Sequence, residues 1–302
     1  MKIVKIFLAP FDFIMKYFKA LVLLLIVFLI FAPSFKESEN PANVARIDLK
    51  GAILQSDSFL EEITELENNP NIKGILLVID SPGGAIAPSV EISQTIKRIK
   101  NKKPIVAYAQ GSMASGSYMA GMWANKIVAN SGSMIGSIGV ILNGVDVSEL
   151  AEKLGIKTQI LKAGIYKEAG TFMRPWNKQE EEMLRNLINE QYWLFVKEVA
   201  EARKLDIKKE KDFAQGRILS ANNALKLGLI DSVGGIYEAQ NTLFELAKIE
   251  EPMWLKKDKM DLYLERIIGE NVSLGIQRAI YGLYVEILKG NYAVCFKDSN
   301  SR

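Results

Sequence analysis

Residues 74–84 read Gly-Ile-Leu-Leu-Val-Ile-Asp-Ser-Pro-Gly-Gly. Five consecutive aliphatic residues, Ile75 to Ile79, form a run too short for a helix and too apolar for a half-exposed strand. They suit a strand buried on both faces, as in a parallel sheet. Ser81-Pro82-Gly83-Gly84 ends the run sharply. A second run, Pro104–Ala109, repeats the pattern and leads into Gly111–Ser117, a turn rich in small residues. In a parallel sheet both turns lie at the carboxyl edge, where ligands bind.

Working outward, strand and helix patterns alternate. Val44–Leu49 is a short strand, and Lys126–Ala129, Ile138–Leu142 and Lys157–Lys162 are read as further strands. Helices are predicted over Ser58–Asn68, Ser89–Lys100, a short piece through Trp123, Ser148–Leu154, Ser220–Leu227 and Tyr237–Ile249. Asn177 caps a long helix reaching about Lys204, with Glu180, Glu181 and Glu182 in its first turn. Met183, Leu184, Leu187, Leu194, Phe195 and Val199 mark its expected buried face. The alternation predicts one α/β layered domain over 44–250 with a mostly parallel sheet. Residues 251–302 are read as a helical extension, in which Gly275–Leu288 is amphipathic.

The N-terminal 36 residues differ from the rest. Five lysines against Asp12 give them a net +4, leaving −1 for the other 266 residues of a chain that totals +3. A near-neutral body excludes an electrostatic nucleic-acid footprint. Residues 20–35 carry no charge, slightly short of the 17–25 residues that a span takes, and flanking lysines can snorkel. The positive charges precede the apolar run, so the N-terminus stays cytoplasmic and the body is exported. Pro33 crowds the only small-residue cleavage site, so residues 1–36 are read as an uncleaved transmembrane anchor, and 37–43 as a linker.

Composition narrows the chemistry. The chain has no histidine and one cysteine, Cys295. That excludes a Ser-His-Asp or Cys-His site, an internal disulfide and an imidazole-based zinc site. A general base must be Lys, Asp, Glu or Tyr. No Ser-x-x-Lys, Gly-x-Ser-x-Gly or phosphate-binding glycine loop occurs. Asp80, at the end of a strand, is read as a turn cap. Met113, Met119 and Met122 are read as core filling.

An ordered set of motifs carries a resemblance. Ser-Pro-Gly-Gly (81–84), Gly-Ser-Met-Ala-Ser-Gly (111–116), Gly-Ser-Ile-Gly (136–139) and Gly-Ile-Tyr-Lys-Glu-Ala-Gly (164–170) occur in that order. Gly-Arg-Ile-Leu-Ser (216–220) and Ala-Leu-Lys-Leu-Gly-Leu-Ile-Asp (224–231) follow. The chain resembles the signal peptide peptidase A (protease IV) family in its short single-domain form, over roughly residues 44–240. The resemblance implies the Clp protease/crotonase-like fold and a Ser-Lys dyad. Ser115 matches the nucleophile, Lys167 the general base, Ser137 the residue that orients the lysine, and the Gly84 and Gly116 N–H groups the oxyanion hole. This chain is one alanine shorter before the serine than the family pattern and has Ser117 in place of a glycine, so Ser112 and Ser117 also stand as candidates. Ser115 is chosen because Asn125-Lys126-Ile127 follows at the family's spacing.

A lysine at its ordinary pKa is neutral in roughly one molecule in 2,500 at pH 7, so this chemistry requires desolvation. Ile165, Tyr166 and the apolar sheet edge are the expected source. The resemblance further implies an extended peptide substrate lying along 83–84 and 137–139, namely remnant signal peptides. It also implies a homo-oligomer, no metal or organic cofactor, and a single-pass protein of the bacterial inner membrane with an extracytoplasmic catalytic domain. A crotonase-type acyl-CoA enzyme and a catalytically silent membrane scaffold are the alternatives.

Overall fold

A computed structural model of the chain describes residues 17–24 and 41–256. Residues 17–24 are helical with every side chain exposed, and the rest of the expected anchor lies outside the described residues. No described helix is long and apolar enough to cross a membrane.

The body opens with β1 (Val44–Lys50), α1 (Asp57–Asn68), β2 (Gly74–Ser81), α2 (Ile86–Ile99), β3 (Ile105–Ala114), α3 (Gly116–Gly121), β4 (Lys126–Ala129) and β5 (Met134–Gly136). It continues with α4 (Ser148–Lys153), α5 (Lys178–Arg203), a 3₁₀ turn (Ile207–Lys209), α6 (Glu210–Phe213), β6 (Ile218–Ser220), α7 (Ala221–Lys226), β7 (Ser232–Val233) and α8 (Ile236–Ala247). The sheet runs β1-β2-β3-β4-β7, all parallel, while β5 pairs in parallel with the end of β3 and antiparallel with β6. This is the α/β architecture with a mostly parallel sheet.

The aliphatic run of β2 does what its composition predicts. Ile75, Leu77 and Ile79 face one layer, with Phe59 and Ile63 of α1, Ile92 and Ile96 of α2, and Phe195 of α5. Leu76 and Val78 face the other, with Ala239 and Leu243 of α8. All five are at most 1% exposed, and each such side chain contributes about 1.5–3 kcal/mol. Residues just past 250 belong to this body: the Asn43 and Val44 N–H groups donate to Met253 O, and the Leu255 N–H donates to Val44 O, so they lie along the outer edge of β1. The amphipathic stretch 275–288 lies outside the described residues.

Several elements depart from the sequence reading. The first half of the expected turn 111–117 is strand: β3 continues to Ala114 because its last residues, Ser112 to Ala114, pair with β5. The strand expected over 138–142 is absent, and Met134–Gly136 takes its place. Gly136 and Ser137, with φ of 97° and 49°, turn the chain out of the sheet. The strand expected over 157–162 is absent too. Its two adjacent apolar residues, Ile160 and Leu161, find no partner strand among the described residues and stay exposed. α2 begins three residues early, because Pro88 in the first turn costs no hydrogen bond. On α5, Leu187 and Leu194 are exposed, while Phe195, Val196, Val199 and Ala200 are buried.

Candidate active site

The site is built where β3 passes into α3. Ser115 is the joint, at φ 54° and ψ −126°. For a residue with a Cβ this is a strained conformation, costing on the order of 1–3 kcal/mol. Neighbouring hydrogen bonds hold it. The Ser115 N–H donates to Gly136 O (2.7 Å), and Ser115 O accepts from Met119 N–H (3.0 Å).

The three candidate serines separate by surroundings. Ser117 is fully buried. Its hydroxyl oxygen accepts from Ala114 N–H (2.8 Å) and lies 2.6 Å from Ser81 O, to which it donates. That ties the Ser81–Gly84 turn to the Ser115 joint and commits Ser117 to structure. Ser112 is paired within β3, and its N–H donates to the Asp80 carboxylate (2.9 Å), so Asp80 ties β2 to the neighbouring strand instead of capping the turn after its own; in that turn the Gly83 N–H donates to Ser81 Oγ (3.2 Å). Only Ser115 of the three borders the cavity at this edge.

That cavity, about 70 Å³, is walled by Gly84, Ile86 and Ser89 from the start of α2, by Ser115, Gly116 and Met119, by 139–141, and by Gln191 and Phe195 of α5. Among these described lining residues none is titratable. Met113 and Met122 are core, as read from sequence, whereas Met119 is both core and cavity wall. The Gly84 and Gly116 backbones converge here. A Cβ placed on Gly83 would lie 2.5 Å from Gly116 N, and one on Gly116 would lie 3.2 Å from Gly84 N. Among the described residues neither N–H has a protein acceptor. The N-terminus of the 14-residue α2 adds positive potential beside Gly84.

Of the residues singled out from sequence, Ser115, Gly84 and Gly116 meet at the cavity. Ser137 is brought next to Ser115 through the Gly136 carbonyl, and its own N–H donates to Arg217 O (2.8 Å). Lys167 is not among the described cavity residues. It sits exposed on a series of turns, its N–H donating to Gly164 O (3.2 Å). Ile165 and Tyr166, expected to desolvate it, are themselves 67% and 44% exposed. The backbone expected to receive an added strand is also partly taken. Gly83 O accepts from Ile53 N–H, Ala85 N–H donates to Ile53 O, and Ile138 O accepts from Gly216 N–H. Arg174-Pro175-Trp176 packs rather than lines a groove: the Trp176 indole N–H donates to Thr171 O (2.8 Å).

Sequence reasoning missed Ser89, Gln191 and the cavity role of Phe195. Ser89 is fully buried, and its hydroxyl donates to Ala85 O (2.8 Å). Its position one turn into a helix that follows the glycine pair was the available signal. Among the described residues no cluster of three or more Cys, Asp or Glu side chains could hold a metal ion.

Comparison with known proteins gives the context. The model of peptidase family S49 matches residues 97–250. The chain is 38% identical over 229 residues to "Putative protease MJ0651" of Methanocaldococcus jannaschii, covering 74% of each. It is 37% identical to "Putative protease slr0021" of Synechocystis, covering 72% of this chain and 78% of the relative. It is 31% identical to "Serine protease SPPA, chloroplastic" of Arabidopsis thaliana, covering 78% of this chain and 36% of that longer protein. A family match over half of the sequence, joined to a relative aligned along three quarters of both partners, makes this chain a member of peptidase family S49.

Proposed function

We propose that the chain is a membrane-anchored serine endopeptidase using Ser115 as nucleophile and Lys167 as general base. The observation that carries this reading is the strained Ser115 backbone at the wall of a small cavity, beside two converging N–H groups that lack acceptors among the described residues. The Lys167 amine takes the Ser115 hydroxyl proton, and the oxygen attacks a peptide carbonyl carbon. The Gly84 and Gly116 N–H groups receive the oxyanion, each worth on the order of 10²–10³ in rate. The C–N bond then breaks, the leaving amine takes the proton from Lys167, and an acyl-enzyme remains. Lys167 next deprotonates a water, which hydrolyses the ester. Ser137 orients the lysine.

The cavity suits a small or medium aliphatic side chain of an extended peptide, with main-chain pairing along 139–141. Signal-peptide remnants in the membrane have that chemistry, and a tether raises their local concentration. Assembly of several copies through the exposed apolar stretch that includes Leu161, Ile165, Tyr166 and Phe172 supplies the burial that Lys167 needs. The exposed position of Lys167 is the one observation that favours a catalytically silent scaffold instead.

Fluorophosphonate labelling of the full chain in membranes tests the proposal. The wild type should label at Ser115 by peptide mapping, with labelling lost in Ser115→Ala and in Lys167→Ala. An unlabelled wild type sinks the enzyme reading, and a labelled Lys167→Ala sinks the dyad.

A further inference from the structure

Lys167 has no ion-pair partner among the described residues, so its placement depends on the turns that carry it. Those turns are fixed through the next residue. The Glu168 carboxylate accepts from Lys162 Nζ (2.9 Å) and from Arg174 Nη2 (3.0 Å). The same guanidinium forks onto Glu180, Nη1 to Oε2 at 2.8 Å and Nη2 to Oε1 at 2.7 Å, and also donates to Pro175 O (3.0 Å). Glu180 is the innermost member, with 1% of its side chain exposed. It closes the capping box at the start of α5, where its carboxylate accepts from Asn177 N–H and its own N–H donates to the Asn177 side chain (both 3.0 Å). The cavity residue Gln191 follows Glu180 by eleven positions on that helix, roughly 16 Å along the axis.

We infer that Arg174 is a positioning residue for the reaction, referencing the Lys167 turn to the helix that also walls the cavity. This rests on the reading of Lys167 as base. A planar fork spanning two carboxylates fits the task, whereas an ammonium is a single point charge. Arg174 also acts electrostatically. With Lys162 it neutralises Glu168, which would otherwise set an uncompensated negative charge beside Lys167 and hold the amine protonated. Arg174 and Lys162 hold Glu168 in its ionised form, its carboxyl below the usual range because of the Lys162 and then the Arg174 hydrogen bonds. The charged groups that face one another here are Lys162, Glu168, Arg174 and Glu180.

The test is peptide-hydrolysis kinetics of the full-length protein against pH, with unfolding followed in parallel. Arg174→Ala should lower kcat by about 10²-fold, as an angstrom of misplacement can, with KM changed by less than about threefold. Its kcat/KM profile should rise at higher pH than in the wild type. Arg174→Lys should recover only part of kcat. Glu168→Gln should move the profile the opposite way, to lower pH, because the negative charge is gone while both cations stay. Opposite displacements are not produced by loss of folding alone. If Arg174→Ala does not fold, Arg174→Lys and Glu168→Gln carry the test. Unchanged kcat and profile in the folded variants, or displacements of the same sign, overturn the inference. Lys167→Ala separates the two readings: if it stays active the dyad itself fails, and if it is inactive while Arg174→Ala matches the wild type, only the role of Arg174 fails.

Discussion

Gly116→Ala is the most local perturbation of the proposed oxyanion site, because it keeps the N–H and adds one methyl group. That methyl would overlap the Ser89 hydroxyl oxygen and lie 3.2 Å from both Ser89 Cβ and Gly84 N. Ser89 cannot swing away freely, since it is fully buried and its hydroxyl is bonded to Ala85 O. The strain therefore moves backbone. Overpacking of this kind costs about 1–3 kcal/mol in stability. Parting the Gly84 and Gly116 donors should cost on the order of 10²–10³ in kcat, the worth of one oxyanion contact. Ser89→Ala in the same chain removes the overlapping oxygen and leaves contacts that a shift of a few tenths of an ångström relieves. The double variant should regain at least about tenfold of the lost kcat, which is about 1.4 kcal/mol of coupling. Hydrolysis of a fluorogenic peptide and urea unfolding of the four proteins in the cycle give both quantities. A Gly116→Ala protein with wild-type kcat, or a double variant whose losses simply add, would refute the packing argument and with it the placement of the two donors.

Two further outcomes follow from the same contacts. Ser117→Ala strips Ser81 O of a donor and Ala114 N–H of its acceptor in a fully buried place. It should lower stability by about 1–3 kcal/mol and slow fluorophosphonate labelling, and a change in unfolding free energy below about 0.5 kcal/mol would count against the clamp. Arg174 first, then the Asn177 N–H, hold the Glu180 carboxyl down to about 2 from an ordinary 4.5. A depressed carboxyl stabilises the fold above its unfolded pKa, and that contribution fades as pH falls from about 4.5 toward 2. Wild-type urea midpoints should fall across that window, and those of Glu180→Gln should start lower and fall less. Parallel pH profiles would remove Glu180 from the account.

What was legible in the sequence was whatever a single local pattern dictates. β2 declared itself because five aliphatic residues buried on both faces leave no polar side to mislead. The start of α5 was readable because Asn177 and Glu180 satisfy each other within one turn. The end of β3 was not, since Gly111-Ser112 has turn composition and becomes strand only because β5 lies alongside. The run 138–142 was misread for the converse reason: it has strand composition, but the backbone has already left the sheet at Gly136 and Ser137. In the site, the glycine pair and Ser115 stood out by motif. Spacing alone favoured Ser115 over Ser112 and Ser117; the physical reason, that Ser117 is spent on Ser81 O and Ala114 N–H while Ser115 borders the cavity, lies in tertiary contacts that no local pattern announces. Gln191 and Phe195 reach the cavity from a helix more than seventy residues away in sequence, so no spacing could announce them.

Backbone strain makes the strongest case that the edge of β3 and β5 serves chemistry rather than stability. Among the described residues, five without glycine's freedom adopt positive φ: Ser115, Ser137, Lys204, Gln215 and Lys248. Lys204 and Lys248 end α5 and α8 in the left-handed cap that helices commonly adopt. Gln215 stands before Gly216 in the turn that leads to β6. Each of those three has an ordinary structural cause. The two serines do not: one leaves a strand for a six-residue helix, the other follows a glycine that already turns the chain. They are joined through one peptide, because Ser115 N–H donates to the carbonyl of Gly136. A fold under no functional demand would shed that cost with glycine at either position. A hydroxyl-bearing residue at both places, with Ser115 bordering a cavity whose described walls hold no titratable group, is what the proposed nucleophile, taking its base from a separate loop, would require.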